Sequence, residues 1–369
     1  MKKIAIIGAN EFQNPLILKA KELGYETYAY AWAAGDVGEK SADHFIPISI
    51  VEKEEIYKSC VENKIDAVCS IGSDLATHTV NYIQRKLGNV CNPEITDTIA
   101  TNKYEMRAAF IKAGVPCPQF LKVKDVPDEQ MLEGMCYPMI VKPTDRSGSR
   151  GIFKVCTYEE LCRAVPASIE HSFEKAAIVE EFIEGEEYSC ESISFGGKHT
   201  TLAFTKKFTT GSPHFIETGH IQPSDIPTEL QQRISEQIKK ALDALSVTYG
   251  ASHAEFKIDS NGNARIIEIG ARMGGDCIGS DLVMLSTGYD FLRMVIDCAL
   301  GNEPSFEISK HYGKAEIQFI YSEDDVKKME QRLSQPSTRL LRKSEKIEVG
   351  DAEVSDSSSR YGFYITYEE

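Results

Sequence analysis

The stretch AEFKIDSNGNARIIEIGARMGGD, residues 254–276, decides the fold class of the central part of this chain. Two short runs of alternating apolar residues flank residues 259–263, and the Asn-Gly pair between them is a strong signal for a β-hairpin. Glu255 stands in the first run and Glu268 in the second. We expect both carboxylates to project from one face of the hairpin, where they would repel each other unless a divalent cation lies between them.

The residues that follow this pair predict a phosphate-containing ligand. Oxygen-only ligands favour Mg²⁺ or Mn²⁺ over Zn²⁺. Arg272, four residues after Glu268, can reach the same face and bind a phosphate. Gly274 and Gly275 then expose backbone donors. An alternative remains if this segment is considered alone: the two glutamates would lie on an ordinary exposed face and bind no ligand.

Two upstream segments have the composition of a nucleotide site. The segment IVKPTDRSGSRGI, residues 140–152, places Lys142 at the end of an apolar strand. Its glycines and serines can present backbone N–H groups to phosphate oxygens, which predicts a phosphate-binding loop. The alternative interpretation is an ordinary solvent-exposed turn that carries basic residues. The segment VEEFIEGEEY, residues 179–188, has five glutamates within eight residues, which need solvent, a cation or a donor-rich ligand.

The order of predicted elements indicates an α/β protein, with α+β character in its central part. A β-α-β pattern opens the chain, so we expect a Rossmann-like parallel α/β domain over residues 1–95. The turn after Gly8 lacks two glycines of the dinucleotide fingerprint, which argues against NAD. A helix that ends at Gly114 begins the next domain, at residues 101–305, and residues 306–369 predict a small β-rich C-terminal lobe.

Composition excludes several partner classes. The 369 residues carry a formal charge of −15, which disfavours nucleic acid and anionic membrane surfaces as partners. The ten cysteines include no C-x-x-C pair and predict reduced thiols. We also find no signal-peptide pattern and no apolar run of about 18 residues, so the expected location is the cytoplasm.

Five motifs occur in a fixed order, and together they resemble the ATP-grasp superfamily over about residues 1–305. They are Lys103, Lys142, the glycine loop, the glutamate-rich stretch and the trio of Glu255, Glu268 and Arg272. The resemblance implies an N-terminal α/β domain, an ATP-grasp fold with a lid at about 117–184, and the C-terminal lobe. It also implies ATP and Mg²⁺ (or Mn²⁺) as cofactors.

The same resemblance assigns roles to individual residues. Lys103 and Lys142 would contact the nucleotide phosphates, and Glu255 and Glu268 would ligate the metal, with Arg272 on the transferring group. The remaining nucleotide contacts would come from the lid residues Ser147, Gly148, Ser149 and Gly151, from Glu180, Phe182 and Ile183 at the adenine, and from Glu187 at the ribose. Gly270 stands where many members have Asn, which implies either a weaker hold on one metal or a water in its shell.

A subgroup of the superfamily fits better than the rest. The stretch FTTGSPHFIETGHIQP, residues 208–223, followed by EIGARMGGD, residues 268–276, resembles L-amino acid ligases of the bacilysin-synthesising type. By this resemblance Glu217 and His220 would line the amino-acid site, and Gly275 would donate to an acyl phosphate. Asp276 would set the substrate pocket, where an anion favours a cationic or hydroxylated amino acid.

The function implied is an ATP-dependent carboxylate–amine ligase that forms an amide or dipeptide bond through an acyl phosphate. By the resemblance its substrates would be a small carboxylate and an amine, with amino acids as the implied class, and family members often form homodimers. Two alternatives stay open. One is another ATP-grasp reaction, which would be bicarbonate activation of the carbamoyl-phosphate synthase or carboxylase type, or a purine-pathway ligase. The other is a nucleotide-binding module without turnover.

Overall fold

Three β-sheets organise the part of the chain that the computed structural model describes, residues 1–212, 214–309, 313–351 and 354–368. The first sheet is parallel, and the other two are antiparallel. This mixed α/β architecture confirms the predicted fold class. Within the described ranges no helix has the length and apolar character needed to cross a membrane.

The N-terminal sheet has the strand order β3-β2-β1-β4. Its elements are β1 (Lys3–Ile7), α1 (Asn14–Glu22), β2 (Glu26–Tyr30), α2 (Val37–Ser41), β3 (His44–Ile46), α3 (Lys53–Asn63), β4 (Ala67–Cys69) and α4 (Asp74–Leu87). Residues 4–7 of β1 are fully buried, because helices cover a parallel sheet on both faces. Gly8 makes the turn after β1 with φ +107° and packs against Gln13.

A second sheet, of order β5-β8-β6-β7, lies within the predicted lid. Two helices precede it, α5 (Glu94–Ile99) and α6 (Lys103–Ala113). Its own elements are β5 (Phe120–Val123), a 3₁₀ helix (Glu129–Leu132), β6 (Met139–Pro143), β7 (Phe153–Val155), α7 (Tyr158–His171) and β8 (Ala177–Glu181). Buried Leu161 and Val165 of α7 pack on one face of this sheet, so the glycine loop between β6 and β7 is held at its edge.

The central sheet has eight strands in the order β13-β12-β9-β10-β11-β14-β16-β15. The strands are β9 (Glu186–Phe195), β10 (Lys198–Thr209), β11 (Glu217–Gln222), β12 (Gly250–Ile258), β13 (Ala264–Gly270), β14 (Ala315–Ile320), β15 (Thr338–Lys343) and β16 (Gly362–Glu368). The helices are α8 (Thr228–Ala244), α9 (Val283–Thr287), α10 (Phe291–Ala299) and α11 (Glu323–Leu333), with a π-helical turn at Ile278–Leu282.

Helices α8 and α10 give this sheet its two cores. Ile234 and Ile238 of α8 pack with Phe256 and Ile266 of the central sheet. Val295 of α10 belongs to a second cluster, which includes residues of the N-terminal sheet. The N-terminal and central sheets therefore share one apolar core, with helix α10 in contact with both.

The predicted C-terminal β-rich lobe is continuous with the central sheet. Strand β14 pairs with β11 in antiparallel register, Gly219 opposite Gln318 and Gln222 opposite Ala315, and β16 and β15 extend the sheet further. Without β14, the backbone N–H and C=O groups on that edge of β11 would have no hydrogen-bond partners. The limits at residues 95, 101 and 305 stay predictions of where separate units begin and end.

Candidate active site

The β12–β13 hairpin places Glu255 directly opposite Glu268. A register shift follows Glu255, between it and Phe256, and such bulges redirect neighbouring side chains. Directly opposed residues have Cβ atoms only about 5 Å apart, so two carboxylates there need compensating positive charge. The donor set, two carboxylates alone, is the type that suits Mg²⁺ or Mn²⁺.

A buried lysine compensates Glu255. The Lys207 Nζ on β10 donates to Glu255 Oε1, and it lies 3.5 Å from Glu187 Oε1 and 3.8 Å from Glu217 Oε1. Burial lowers the pKa of this lysine, but the three carboxylates outweigh burial and raise the pKa above its ordinary value. Lys207 is therefore a fixed cation at the centre of the site, and the sequence analysis did not identify it.

Lys103 compensates Glu268 and ties it to the lid. Asn102 caps helix α6 by accepting from the backbone N–H groups of Tyr104 and Glu105, which fixes Lys103 at the first helical position. The Lys103 Nζ lies 2.9 Å from Glu268 Oε1 and donates to the Arg146 carbonyl at 2.7 Å. Each predicted metal ligand thus has a lysine beside it.

The predicted adenine residue Glu180 is nearly inaccessible and is paired inside the protein. Its Oε2 lies 2.6 Å from Lys142 Nζ and its Oε1 lies 2.8 Å from Arg107 Nε. Burial raises the pKa of Glu180, but Arg107 and Lys142 outweigh burial and hold the pKa below its ordinary value. Glu180 is therefore ionised, and Arg107 is a second cation, to which the sequence analysis assigned no role.

The glycine loop approaches the segment before β11. Gly148, Ser149 and Gly151 all have positive φ, +73°, +58° and +69°. The Ser149 hydroxyl donates to the Phe215 carbonyl at 3.2 Å. The loop therefore spans the opening between the lid sheet and the central sheet.

One cavity lies beneath this loop, and it encloses about 750 Å³, including space that is open to solvent. It brings together ten of the predicted site residues: Lys103, Lys142, Ser149, Glu180, Phe182, Ile183, Glu187, Glu217, Glu255 and Glu268. Ser147 lines an adjoining cavity with Asp74, Arg150 and Glu268. The Phe182 N–H donates to the Pro138 carbonyl at 3.3 Å, so that backbone donor is already engaged.

Arg272 turns toward the N-terminal sheet. Its Nε lies 2.8 Å from Asp74 Oδ1, and its Nη2 lies 3.2 Å from Asp74 Oδ2. A Cβ at Gly270 would lie 3.1 Å from Arg272 Nε and 3.2 Å from Asp74 Oδ1. The ion pair thus occupies the space that an asparagine side chain at position 270 would need. This explains why glycine stands at this position.

Seven of the predicted site residues do not line this cavity, and Gly275, His220 and Asp276 are among them. Gly275 approaches the backbone of Gly72, with its ideal Cβ 3.9 Å from the Gly72 carbonyl oxygen. The His220 side chain is fully buried, and its Nε2 lies 3.5 Å from Asp276 Oδ2. Asp276 is paired with Arg360 of the C-terminal segment at 2.6 Å.

A buried pair beneath the hairpin connects two parts of the site. Glu191 is fully buried on β9, opposite His253 on β12. The His253 Nδ1 contacts Glu191 Oε1, and its Nε2 lies 3.2 Å from Glu255 Oε1. The second oxygen of Glu191 accepts from the Gly274 N–H at 2.9 Å. One buried carboxylate therefore supports both Glu255 and the glycine pair.

Comparison with known proteins agrees with this geometry. The family model of the ATP-grasp domain matches residues 135–281, the segment that carries the lid sheet and the hairpin. The chain contains an ATP-grasp domain. The predicted resemblance to the ATP-grasp superfamily is confirmed.

Two of the relatives that match this chain are amino-acid ligases by name. Alanine–anticapsin ligase of Bacillus subtilis is 31% identical over 199 residues, which cover 48% of this chain and 42% of that protein. D-Alanine–D-alanine ligase of Haemophilus ducreyi is 26% identical over 186 residues, covering 49% and 60%. The chain thus spans less than two thirds of the length of these relatives.

A solved structure extends the likeness to the whole chain. The L-amino acid ligase from Bacillus licheniformis has a TM-score of 0.84 and 23% identity, and the match covers 100% of this chain and 94% of that chain. At this identity the likeness shows that the two proteins share a fold.

Sequence reasoning gave no role to five residues that support the ATP-grasp site from other parts of the chain. Lys207, Glu191, His253, Arg107 and Arg360 belong to no motif quoted above. The one available signal was an ionisable residue inside an apolar strand, as at Glu191 in YSCESIS, residues 188–194. Such residues are rarely buried without a partner, but the partner lies on another strand.

We expect Gly274→Ala to destabilise the ATP-grasp domain by about 1–3 kcal/mol, because a Cβ there must displace buried atoms. An ideal Cβ at Gly274 lies 2.6 Å from Glu191 Oε1 and 2.7 Å from His253 Nδ1. Gly275→Ala is the matched control, because its Cβ would meet the Gly72 backbone only at ordinary van der Waals distance, 3.9 Å from the carbonyl oxygen. Urea unfolding measures both, and equal losses in the two variants would contradict this contact.

The buried His253 predicts a pH dependence of stability. Burial lowers the pKa of its imidazole, but Glu191 and Glu255 outweigh burial and raise the pKa to about 9. The unfolded value is about 6.5, so the folded state binds this proton more tightly. The stabilisation, on the order of 3 kcal/mol, is complete below about pH 6.5 and is lost as pH rises through 9.

We therefore expect His253→Gln to be less stable than the unsubstituted protein at pH 6.5, with a difference that narrows above pH 9. Urea unfolding at several pH values measures the difference. His171→Gln, at an exposed position on α7, is the control and should follow the unsubstituted protein. A difference that stays constant across this range would reject the assignment.

Proposed function

We propose that the chain is an ATP-dependent carboxylate–amine ligase that joins amino acids through an acyl phosphate. One observation carries the proposal. Glu255 and Glu268 face each other across the hairpin, and both line a cavity with Lys103 and Lys142 inside an ATP-grasp domain. The names of the relatives, alanine–anticapsin ligase and D-alanine–D-alanine ligase, support amino acids as the substrate class.

In this proposal the nucleotide lies in the 750 Å³ cavity. Lys103 and Lys142 stand at its phosphate end, and the loop over residues 147–151 covers the phosphates with backbone N–H groups. Glu180, Phe182 and Ile183 surround the adenine, and Glu187 contacts the ribose. The internal pairing of Glu180 with Arg107 and Lys142 supports a role in fixing these cations as well.

Glu255 and Glu268 would hold Mg²⁺, and the residues present fit that ion. When bound, Mg²⁺ would offset the negative charge of the phosphates. Against the effect of burial, Lys207 lowers the pKa of Glu255 and so keeps this carboxylate able to act as a ligand. Lys103 lies beside Glu268 at 2.9 Å.

The reaction has two steps that the charges of the site favour. A carboxylate oxygen of the first substrate attacks the γ-phosphorus of ATP, the bond to the β-phosphate oxygen breaks, and ADP leaves. The amine of the second substrate then attacks the acyl carbon, phosphate leaves, and the nitrogen gives up a proton. Lys103 and Lys142, which line the cavity, reduce the repulsion between the two anions of the first step. Arg272, in contrast, is held by Asp74 outside the cavity lining. The loop over residues 147–151 excludes water from the acyl phosphate.

Glu217 is better placed than His220 to accept the amine proton. The Glu217 side chain lines the cavity and is 17% exposed, whereas the His220 side chain is fully enclosed. Burial lowers the pKa of His220 more than Asp276 raises it, so the imidazole is neutral at pH 7. His220 therefore supports the wall beneath Glu217.

A hydroxamate trap tests the proposed function. Incubation with Mg·ATP, hydroxylamine and single amino acids should yield an aminoacyl hydroxamate together with ADP. ADP formation that depends on bicarbonate would instead indicate a carboxylating or carbamoyl-phosphate type of reaction. No ADP with any amino acid would reject the ligase and favour a binding module.

We expect Glu268→Ala to lower ADP formation at least 100-fold, because one of two metal carboxylates is lost. Circular dichroism and thermal melting should show an intact fold. Glu133→Ala, which removes an exposed carboxylate from the lid, is the matched control and should keep full activity. Full activity in Glu268→Ala would reject the metal assignment.

A further inference from the structure

An ion pair brings the C-terminal segment to the wall of the proposed amino-acid site. Arg360 Nη2 donates to Asp276 Oδ1 at 2.6 Å, and Nη1 donates to Asp276 Oδ2 at 2.9 Å. The two residues are 84 positions apart in the sequence. Two parallel hydrogen bonds fix both the distance and the orientation of the pair.

Arg360 is held in this orientation by further contacts. Its guanidinium lies over the Phe319 ring at 3.6 Å from the centroid, and its Nε donates to the Ser357 carbonyl at 2.8 Å. The side chain is 6% exposed. All three guanidinium nitrogens are therefore engaged, and Arg360 is not free to bind a second carboxylate.

The pair belongs to a network that reaches the cavity. Ser357, three residues before Arg360, donates from its hydroxyl to Glu217 Oε2 at 2.9 Å. The Tyr321 hydroxyl donates to the Glu217 carbonyl at 2.7 Å, and Glu217 itself lines the cavity. Asp276 directly follows Gly275. The C-terminal segment therefore builds the wall behind Glu217 and Gly275.

The pairing changes what Asp276 presents to a substrate. An unpaired carboxylate beside the pocket would attract a cationic amino acid, as the sequence predicted. The positive charge of Arg360 lies at hydrogen-bond distance from the Asp276 carboxylate and neutralises it. A neutral pair attracts neither a cationic nor an anionic side chain strongly, whereas removal of either partner leaves a charge beside the site.

We propose that Arg360 is a specificity-determining residue, which neutralises Asp276 so that the site selects amino acids with uncharged side chains. This inference rests on the proposed function. The sequence-based expectation is a cationic or hydroxylated amino acid, and this inference replaces only the cationic part of it. It also gives the C-terminal segment a role in substrate choice.

The test compares phosphate release by the unsubstituted protein, Arg360→Gln, Asp276→Asn and the double variant. The amino-acid probes are lysine against norleucine, and glutamate against glutamine, each offered with a panel of partner amino acids. The unsubstituted protein should prefer norleucine and glutamine. Arg360→Gln should raise kcat/KM for lysine relative to norleucine at least tenfold, and Asp276→Asn should raise it for glutamate relative to glutamine to a similar extent.

The double variant should return to the uncharged preference, because it has neither charge. The double variant leaves no unpaired buried charge, so we expect it to fold even if one of the single variants does not. It can then be compared with the single variant that folds. The control is Glu316→Gln, which breaks another bidentate pair on β14, with Arg332 at 2.9 and 2.5 Å. It should lower stability and leave both substrate ratios unchanged.

The outcomes separate this inference from the function on which it rests. Activity with amino acids but unchanged ratios in both single variants would overturn the role of Arg360. A clear preference of the unsubstituted protein for lysine would overturn it as well. No phosphate release from the unsubstituted protein with any pair of amino acids would instead reject the proposed ligase, and this inference with it.

Discussion

The site depends on the cross-strand pairing of Glu255 with Glu268 in the β12–β13 hairpin. Two carboxylates at directly opposed positions repel each other, so the fold must supply positive charge within a few ångströms. Lys207 and Lys103 supply it from a strand and a helix that are distant in sequence. This requirement explains why so many ionised groups converge beneath one loop, each of them paired.

The same charges connect the layers of the molecule. Lys103 joins the hairpin to the lid through the Arg146 carbonyl, and Arg272 joins it to the N-terminal sheet through Asp74. Charges that are partly removed from water interact more strongly than exposed ones, and a buried ion loses more when its partner is removed. The relative positions of sheet, lid and N-terminal unit are therefore coupled to the ionisation state of the site.

The C-terminal strands complete this arrangement. Strand β14 pairs with the edge of β11. The segment before β16 places Ser357 in contact with Glu217 and Arg360 in contact with Asp276. A region with no motif thus contributes hydrogen bonds and charge to the proposed substrate wall. The position of these residues follows from strand pairing across the sheet.

The sequence by itself determined the α/β class, the hairpin with its two glutamates, and the candidate residues that line the cavity. These features are encoded locally, in apolar periodicity, an Asn-Gly turn and short motifs. Tertiary structure alone decided the partners: Lys207 for Glu255, Glu191 for His253, Arg360 for Asp276. The physical reason is that an ion pair depends on distance in space, and the sheet brings together residues whose separation in the chain carries no signal.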